Sequence, residues 1–254
     1  MSADRIDLNV DAGESYGAWR MSDDAALFAE VSSANLACGF HAGDPQTIRK
    51  SLRLALDAKV AVGAHPGLPD LTGFGRRAIA MTPDEIYADT LYQIGAFHAF
   101  VKAAQATLHH MKPHGALNTA VAEASDANAE AIVAATRDFD AELPIIAIAG
   151  SRLHQAAQRL GQPVVAEGFP DRGYAADGSL AKRGTEGALV HDAELAAQRA
   201  VRMATEGTVE ALDGTIVELT PGTLCIHGDN PGSVATAKAI RAALERAGIA
   251  IAAF

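Results

Sequence analysis

Asp7-Leu8-Asn9-Val10-Asp11-Ala12-Gly13-Glu14 is a short run in which carboxylates and an amide alternate with aliphatic side chains until the chain breaks at glycine. Side chains two apart share a face of a strand, so Asp7, Asn9 and Asp11 take one side and Leu8 and Val10 the other. Unpaired charge is costly inside a protein, and the polar face must meet a metal, a cation or a hydrogen-bonded network. Asp7 suits a structural network as well as a functional role; Asp11, at the strand's end beside Gly13, is the functional candidate. The design recurs at Asn35-Leu36-Ala37-Cys38-Gly39-Phe40-His41-Ala42-Gly43-Asp44-Pro45, Gly63-Ala64-His65-Pro66, Lys112-Pro113-His114-Gly115, Glu167-Gly168-Phe169-Pro170-Asp171-Arg172 and His227-Gly228-Asp229. One site assembled from many strand ends is the economical reading.

Between these runs lie alanine-rich helical stretches. Strands are expected near Ile6–Val10, Val31–Ala37, Ala61–Gly63, Leu108–Met111, Ile145–Ile148, Val164–Ala166 and Leu224–His227. Helices are expected near Pro45–Ala58, Pro83–Gln105, Ala124–Ala135, Ser151–Arg159, Asp192–Glu206 and Ser233–Ala247. Such alternation implies an α/β fold with a parallel sheet covered by helices. Asp44-Pro45 and Thr82-Pro83 pair a capping oxygen with proline at the first helical position, and Gly248 closes the last helix. Periodicity leaves a closed barrel and an open doubly wound sheet equally open. With no linker, low-complexity tract or internal repeat, residues 1–254 read as a single domain. Pro66–Arg77 is the longest irregular segment in this reading and suits a functional loop over the rim.

The chain has 254 residues, 49% of them hydrophobic and 20% charged, with a net charge of -10. No basic tract exists to hold a phosphate backbone, which argues against nucleic acid as a partner. No run approaches the roughly eighteen apolar residues of a membrane span. Met1 to Asp11 lacks the basic and apolar regions of a secretory leader, so a cytoplasmic location is expected. Cys38 and Cys225 lie in apolar runs without metal-site spacing and read as buried free thiols.

Asp11, His41 and His65 stand on successive strand ends, a separation that suits a divalent metal with three protein ligands and a site for water, as well as metal-free acid–base chemistry. His110 and His114 are four apart, as in helical zinc proteases, but Pro113 opposes a helix there and the required glutamate is missing. Lys112 emerges from an apolar run, where an ammonium needs a carboxylate partner or serves an anion, and with His114 it completes the catalytic candidates. Gly73-Phe74-Gly75-Arg76-Arg77-Ala78 imitates a dinucleotide fingerprint but follows a Pro/Gly loop instead of a strand. Arg76 and Arg77 there suit a substrate carboxylate. Asn9, Asn35, Glu167, Asp171, Arg172, His227 and Asp229 complete the polar rim as substrate-binding candidates. There is no Gly-Lys dipeptide and hence no Walker A loop, so nucleotide chemistry needs other means or a separate partner chain.

Taken together, these motifs make the chain resemble the LamB/YcsF family. The resemblance runs from Asp7 to the last helix and also rests on Ser33-Ala34-Asn35, Lys112-Pro113-His114-Gly115-Ala116-Leu117 and Asp171-Arg172-Gly173-Tyr174. Val10 stands where the family often has cysteine, and Asn118-Thr119 where it usually has Tyr-Asn, which bears on substrate contacts. The resemblance implies a seven-stranded (β/α) barrel similar to the polysaccharide deacetylases. It implies ATP-coupled opening of 5-oxoproline to L-glutamate, with ATP as co-substrate and subunits B and C as partners. Metal identity and homo-oligomerisation stay open. Two other readings compete: a metal-dependent deacetylase of N-acylated sugars, and a non-catalytic module that binds a lactam or sugar.

Overall fold

In the computed structural model, which describes residues 4–230 and 232–254, β1 (Arg5–Ala12) lies between two parallel neighbours that carry the sheet around into a closed ring. Met1 to Ala3, part of the stretch read for a leader, lie outside the described residues. Chain order gives α1 (Asp24–Phe28), β2 (Ser33–Ala37), α2 (Pro45–Asp57), β3 (Ala61–His65), α3 (Pro83–Ala103) and β4 (His110–Met111). A π turn at Leu117–Val121 runs into α4 (Ala122–Ala124) and α5 (Asp126–Phe139), followed by β5 (Ile145–Ile148), α6 (Arg152–Leu160) and β6 (Val164–Gly168). Then come α7 (Ala193–Glu206), β7 (Thr208–Glu210), β8 (Ile216–Glu218), β9 (Thr223–His227), α8 (Ser233–Arg246) and β10 (Ala250–Ile251).

The ring order is β1-β2-β3-β4-β5-β6-β9 and back to β1, all parallel, so the sheet closes as a seven-stranded barrel. Closure removes the sheet edges and answers what periodicity left open. β10 adds to the foot of β1, and β7 and β8 form a small antiparallel hairpin outside the ring.

Registers explain why the interior is polar. Asp7 is level with Thr223, Asn9 with Cys225 and Ser33, and Asp11 with His227 and Asn35. At the lowest layer the Asp7 carboxylate accepts hydrogen bonds from Ser32 (2.6 Å), Ser33 (2.8 Å) and Thr223 (2.5 Å), which makes it a structural network. Leu8 and Val10 face outward and are fully buried under the helices. Gly63 leaves the space that the His110 ring fills; any Cβ there would collide with it.

The helix starts follow their local chemistry. Asp44 caps α2 ahead of Pro45, and Thr82 and Glu85 form a reciprocal capping box at α3, caps each worth about 1 kcal/mol. Gly248, at φ +78°, follows α8 as the left-handed residue that ends it. The longest irregular segment differs from expectation: residues 169–192, between β6 and α7, exceed Pro66–Arg77 in length. Arg172 organises this segment, donating to the carbonyls of Ala181 (2.7 Å) and Ala188 (3.0 Å). No helix among the described residues is long and apolar enough to cross a membrane.

Candidate active site

Parallel strands all deliver their carboxyl ends to the same mouth of a barrel. There a cavity of about 510 Å³ is lined by Asp11, Arg76, Lys112, His114, Asn118, Phe169, Arg172, Lys182, Arg183 and His227, among others. Residues up to 216 positions apart are joined in the hydrogen-bonded layers beneath it.

Lys112, directly after β4, is the electrostatic centre. Its Nζ lies 2.8 Å from Asp11 Oδ1, 2.7 Å from Glu167 Oε1 and 3.0 Å from Cys225 Sγ, and all four residues are buried. Burial alone would pull the ammonium down, but Asp11, Cys225 and Glu167 outweigh it and hold its pKa well above the usual lysine range. Burial likewise pushes Asp11 up, yet His65 and Lys112 hold it well below the usual carboxylate range. Glu167 goes the other way: burial raises it, and Lys112 only partly offsets this. The two carboxylates around one cation therefore differ in proton affinity, the pattern from which acid and base roles are made. Asn35 completes the layer, donating to Asn9 Oδ1 and Asp11 Oδ1 at 2.8 Å each and accepting from His110 Nε2 at 2.7 Å. Asn9 in turn donates to Glu167 and Thr223.

Beside this layer, Glu14, His41, His65 and His114 converge, each offering a ligand atom within 4.8 Å of the others. Gly13, at φ +68°, turns the chain out of β1 so that Glu14 faces back into the site. His65 Nδ1 lies 2.7 Å from the Lys112 carbonyl, and His114 Nε2 lies 2.8 Å from the Phe74 carbonyl. Carbonyls only accept, so in the neutral rings those nitrogens carry the protons. The lone pairs of His65 Nε2 and His114 Nδ1 then face each other at 3.0 Å, which requires a proton or another cation between them. Burial, with His114 adding to it, pushes His41 down to about 3, and burial also lowers His114. Glu14 is held ionised: burial would raise it, but His114 and His41 more than compensate. Glu14 Oε1 lies 3.2 Å from His114 Nδ1 and 3.5 Å from His41 Nε2, yet neither Glu14 oxygen and neither His41 ring nitrogen, all buried, makes a well-formed hydrogen bond. Neutral imidazoles around an ionised, unsatisfied carboxylate are a donor set suited to a divalent cation.

This arrangement changes the expected ligand set. His41 and His65 are in it; Asp11 stands beside it, with Oδ2 3.5 Å from His65 Nε2, while Glu14 and His114 complete it. Arg77 does not line the cavity; it is largely exposed and pairs with Asp70, holding the loop after β3. Arg76 lines the cavity and pairs with Asp229 at 2.7 Å. Arg172, read as a substrate contact, lines the cavity and gives two of its donors to backbone carbonyls. His227 Nδ1 bonds Asp171 Oδ2 at 2.9 Å, an oriented Asp–His pair whose Nε2 is left available. Burial raises Asp171, but the neighbouring His227 brings it below the ordinary carboxylate value. Asn118, one of the two departures from the family pattern, lies in the π turn, and its Oδ1 is buried without a partner on the cavity wall.

His110 supplies a test of the buried network. Burial, with His109 and Lys112, holds it well below the ordinary histidine pKa. The unfolded chain therefore takes up a proton below about pH 6.5 that the folded chain refuses, and stability falls with falling pH by about 1.4 kcal/mol per unit. His110→Gln should flatten the slope of urea-unfolding free energy between pH 7.5 and 5.5 by about half a proton on average, approaching one proton at the acid end; an unchanged slope would contradict the assignment.

The LamB/YcsF family profile matches residues 6–254, almost the whole chain. The chain belongs to this family. Among its relatives, the 5-oxoprolinase A subunit of Thermus thermophilus is 52% identical over 250 residues, covering 98% of this chain and 100% of that protein. The protein of the same name from Heliobacterium modesticaldum is 50% identical over 247 residues, covering 97% of each chain. The crystal structure of the lactam utilization protein from T. thermophilus superposes with a TM-score of 0.93 at 51% identity, covering 98% of this chain and 100% of that one. The LamB/YcsF barrel thus carries, in this chain, the Lys112 layer and the Glu14–histidine cluster side by side.

Proposed function

We propose that this LamB/YcsF chain is the A component of an ATP-dependent 5-oxoprolinase and performs the hydrolytic opening of the lactam to L-glutamate. The observation that carries the reading is the meeting of Asp11, Lys112, His114 and His227 in one cavity, in a chain about half identical over its full length to proteins named for that activity. A five-membered lactam is an unstrained amide whose hydrolysis needs energetic coupling. With no nucleotide loop in this chain, ATP is used by partner subunits B and C, which transfer its terminal phosphoryl group to the lactam carbonyl oxygen, in the cytoplasm.

Asp11, with His65 beside it, takes a proton from the water that attacks the ring carbonyl carbon. Lys112 stabilises the negative charge that develops there. The carbon–nitrogen bond then breaks, His227, oriented by Asp171, delivers a proton to the departing ring nitrogen, and the acyl phosphate left on the former ring carbon is hydrolysed by a second water to glutamate and inorganic phosphate. Asn9 and Asn35 hold Asp11 and Glu167 in register beneath the reacting centre. Glu14, His41, His65 and His114 would hold a divalent cation, which when bound supplies Lewis acidity and acidifies water.

Reconstitution tests this directly. Glutamate release from 5-oxoproline should require this chain, subunits B and C, and ATP together. Metal analysis of the purified chain should find about one divalent ion per chain. Glu14→Gln should weaken its retention roughly 10- to 100-fold, and chelation should lower turnover reversibly. A metal-free chain whose turnover ignores chelator would sink the cation reading, while glutamate formed without this chain would sink the whole proposal.

A further inference from the structure

The cavity has more positive side chains than its internal pairings use. Lys112 is neutralised by Asp11 and Glu167, and Arg76 by Asp229. Arg172, also on the cavity wall, gives two of its five N–H donors to the carbonyls of Ala181 and Ala188, which fix its place. Arg183 lines the same cavity, half-buried, and among the described residues it has neither a hydrogen-bond nor an ion-pair partner. Lys182 lies next to it on the wall.

We propose that Arg183 is the anchor for the carboxylate of the lactam substrate. The proposal rests on the 5-oxoprolinase reading, because that substrate brings one fixed negative charge next to the ring nitrogen. A guanidinium presents a planar fork of donors that matches a carboxylate, and a half-buried one left unpaired awaits an anion.

The placement is built in. Arg172 holds the Ala181 carbonyl, Ala181 N–H bonds the Gly173 carbonyl at 2.9 Å, and Gly173 N–H bonds the Ala188 carbonyl at 3.1 Å. Arg199 fastens the base of the segment through the carbonyls of Pro170 (3.0 Å) and Arg172 (2.6 Å). Residues 182–187 are thereby tied at both flanks, with Arg183 on the cavity wall. Burial, and after it the nearby Arg76, lower the Arg183 pKa, while Asp229, Asp171 and Asp11 pull it the other way without forming an ion pair with it. Through its two carbonyl bonds Arg172 also positions the segment that carries Arg183. Specificity follows: a lactam without the carboxylate leaves this guanidinium unpaired and is discriminated against.

The test uses the complete complex with ATP. Arg183→Ala, Arg183→Lys and the natural chain are compared on 5-oxoproline and on its carboxamide, by turnover or, where that is too slow, by competitive inhibition. Arg183→Ala should lower kcat/KM on 5-oxoproline about 10- to 100-fold, chiefly through KM, with Arg183→Lys intermediate and added guanidinium restoring part of the loss. On the carboxamide the same substitution should change little, because the charge it serves is already gone. Equal losses on both compounds would assign Arg183 to a different group, such as a phosphoryl carried on the activated ring, and would overturn the proposal. So would an unchanged kcat/KM. A natural complex that forms no ATP-coupled glutamate would instead refute the functional reading on which the proposal rests.

Discussion

Lys112→Met should reduce glutamate formation at least 100-fold and destabilise the barrel by about 3–5 kcal/mol. The two effects have one origin. The ammonium sits within 2.8 Å of Asp11 and 2.7 Å of Glu167, and all three groups are buried. Without it two carboxylates share a dry layer, and their mutual repulsion and desolvation force at least one to take up a proton. In the variant Glu167, already raised by burial, loses the cation that offset it, and its folded pKa stands above its unfolded one. Its contribution is then most favourable at low pH and is lost as pH rises through that raised value. The stability deficit should accordingly shrink between pH 7.5 and pH 5.5, and Glu167→Gln in the same chain should relieve part of it. A deficit below about 1 kcal/mol, measured by urea unfolding, would show that Lys112 is not the counter-ion that holds the layer together.

Asp11→Asn should leave the fold in place and slow ring opening by about 10²- to 10⁴-fold. The amide has the shape of the carboxylate, and Lys112 keeps Glu167 as its counter-ion. What is lost is an ionised acceptor, held so by His65 and Lys112 against the cost of burial. Its Oδ1 accepts from Lys112 and Asn35 at 2.8 Å, while Oδ2 faces His65 Nε2 at 3.5 Å. No other carboxylate touches both the Lys112 layer and the histidine cluster among the described residues. Activation of the ring by partner subunits does not pass through Asp11, so ATP consumption should suffer less than glutamate formation.

How much of this was legible in the chain depends on the range over which each signal acts. Alternation in β1 placed Asp7, Asn9 and Asp11 on one face because strand periodicity is local, and the recurrent breaks at His65, Lys112 and His227 marked the mouth for the same reason. Closure of the barrel is not local, and it entered as an implication of the family resemblance. The Thr208–Glu218 hairpin escaped notice although Asp213-Gly214 is a turn signal, because its strands are only three residues each and bury little. Glu14 stood in the quoted motif without a role; only the backward turn at Gly13 brings it to the histidines. The arginines were the hardest to read, since charge alone does not say which partner takes it. Arg77 found Asp70, Arg172 found backbone carbonyls and Arg76 found Asp229, which left Arg183 facing the cavity. Pairings such as Asp171 with His227, 56 residues apart, exist only once the strands are in register.

The most direct measurement assembles the complex with either the natural chain or Asp11→Asn and quantifies ADP and glutamate in the same reaction mixture. The account predicts ATP-dependent glutamate formation with the natural chain, and with Asp11→Asn a loss of glutamate at least 100-fold that exceeds any loss of ADP. Glutamate formed by the Asp11→Asn complex at the natural rate would contradict the claim that the ring is opened at this mouth of the barrel.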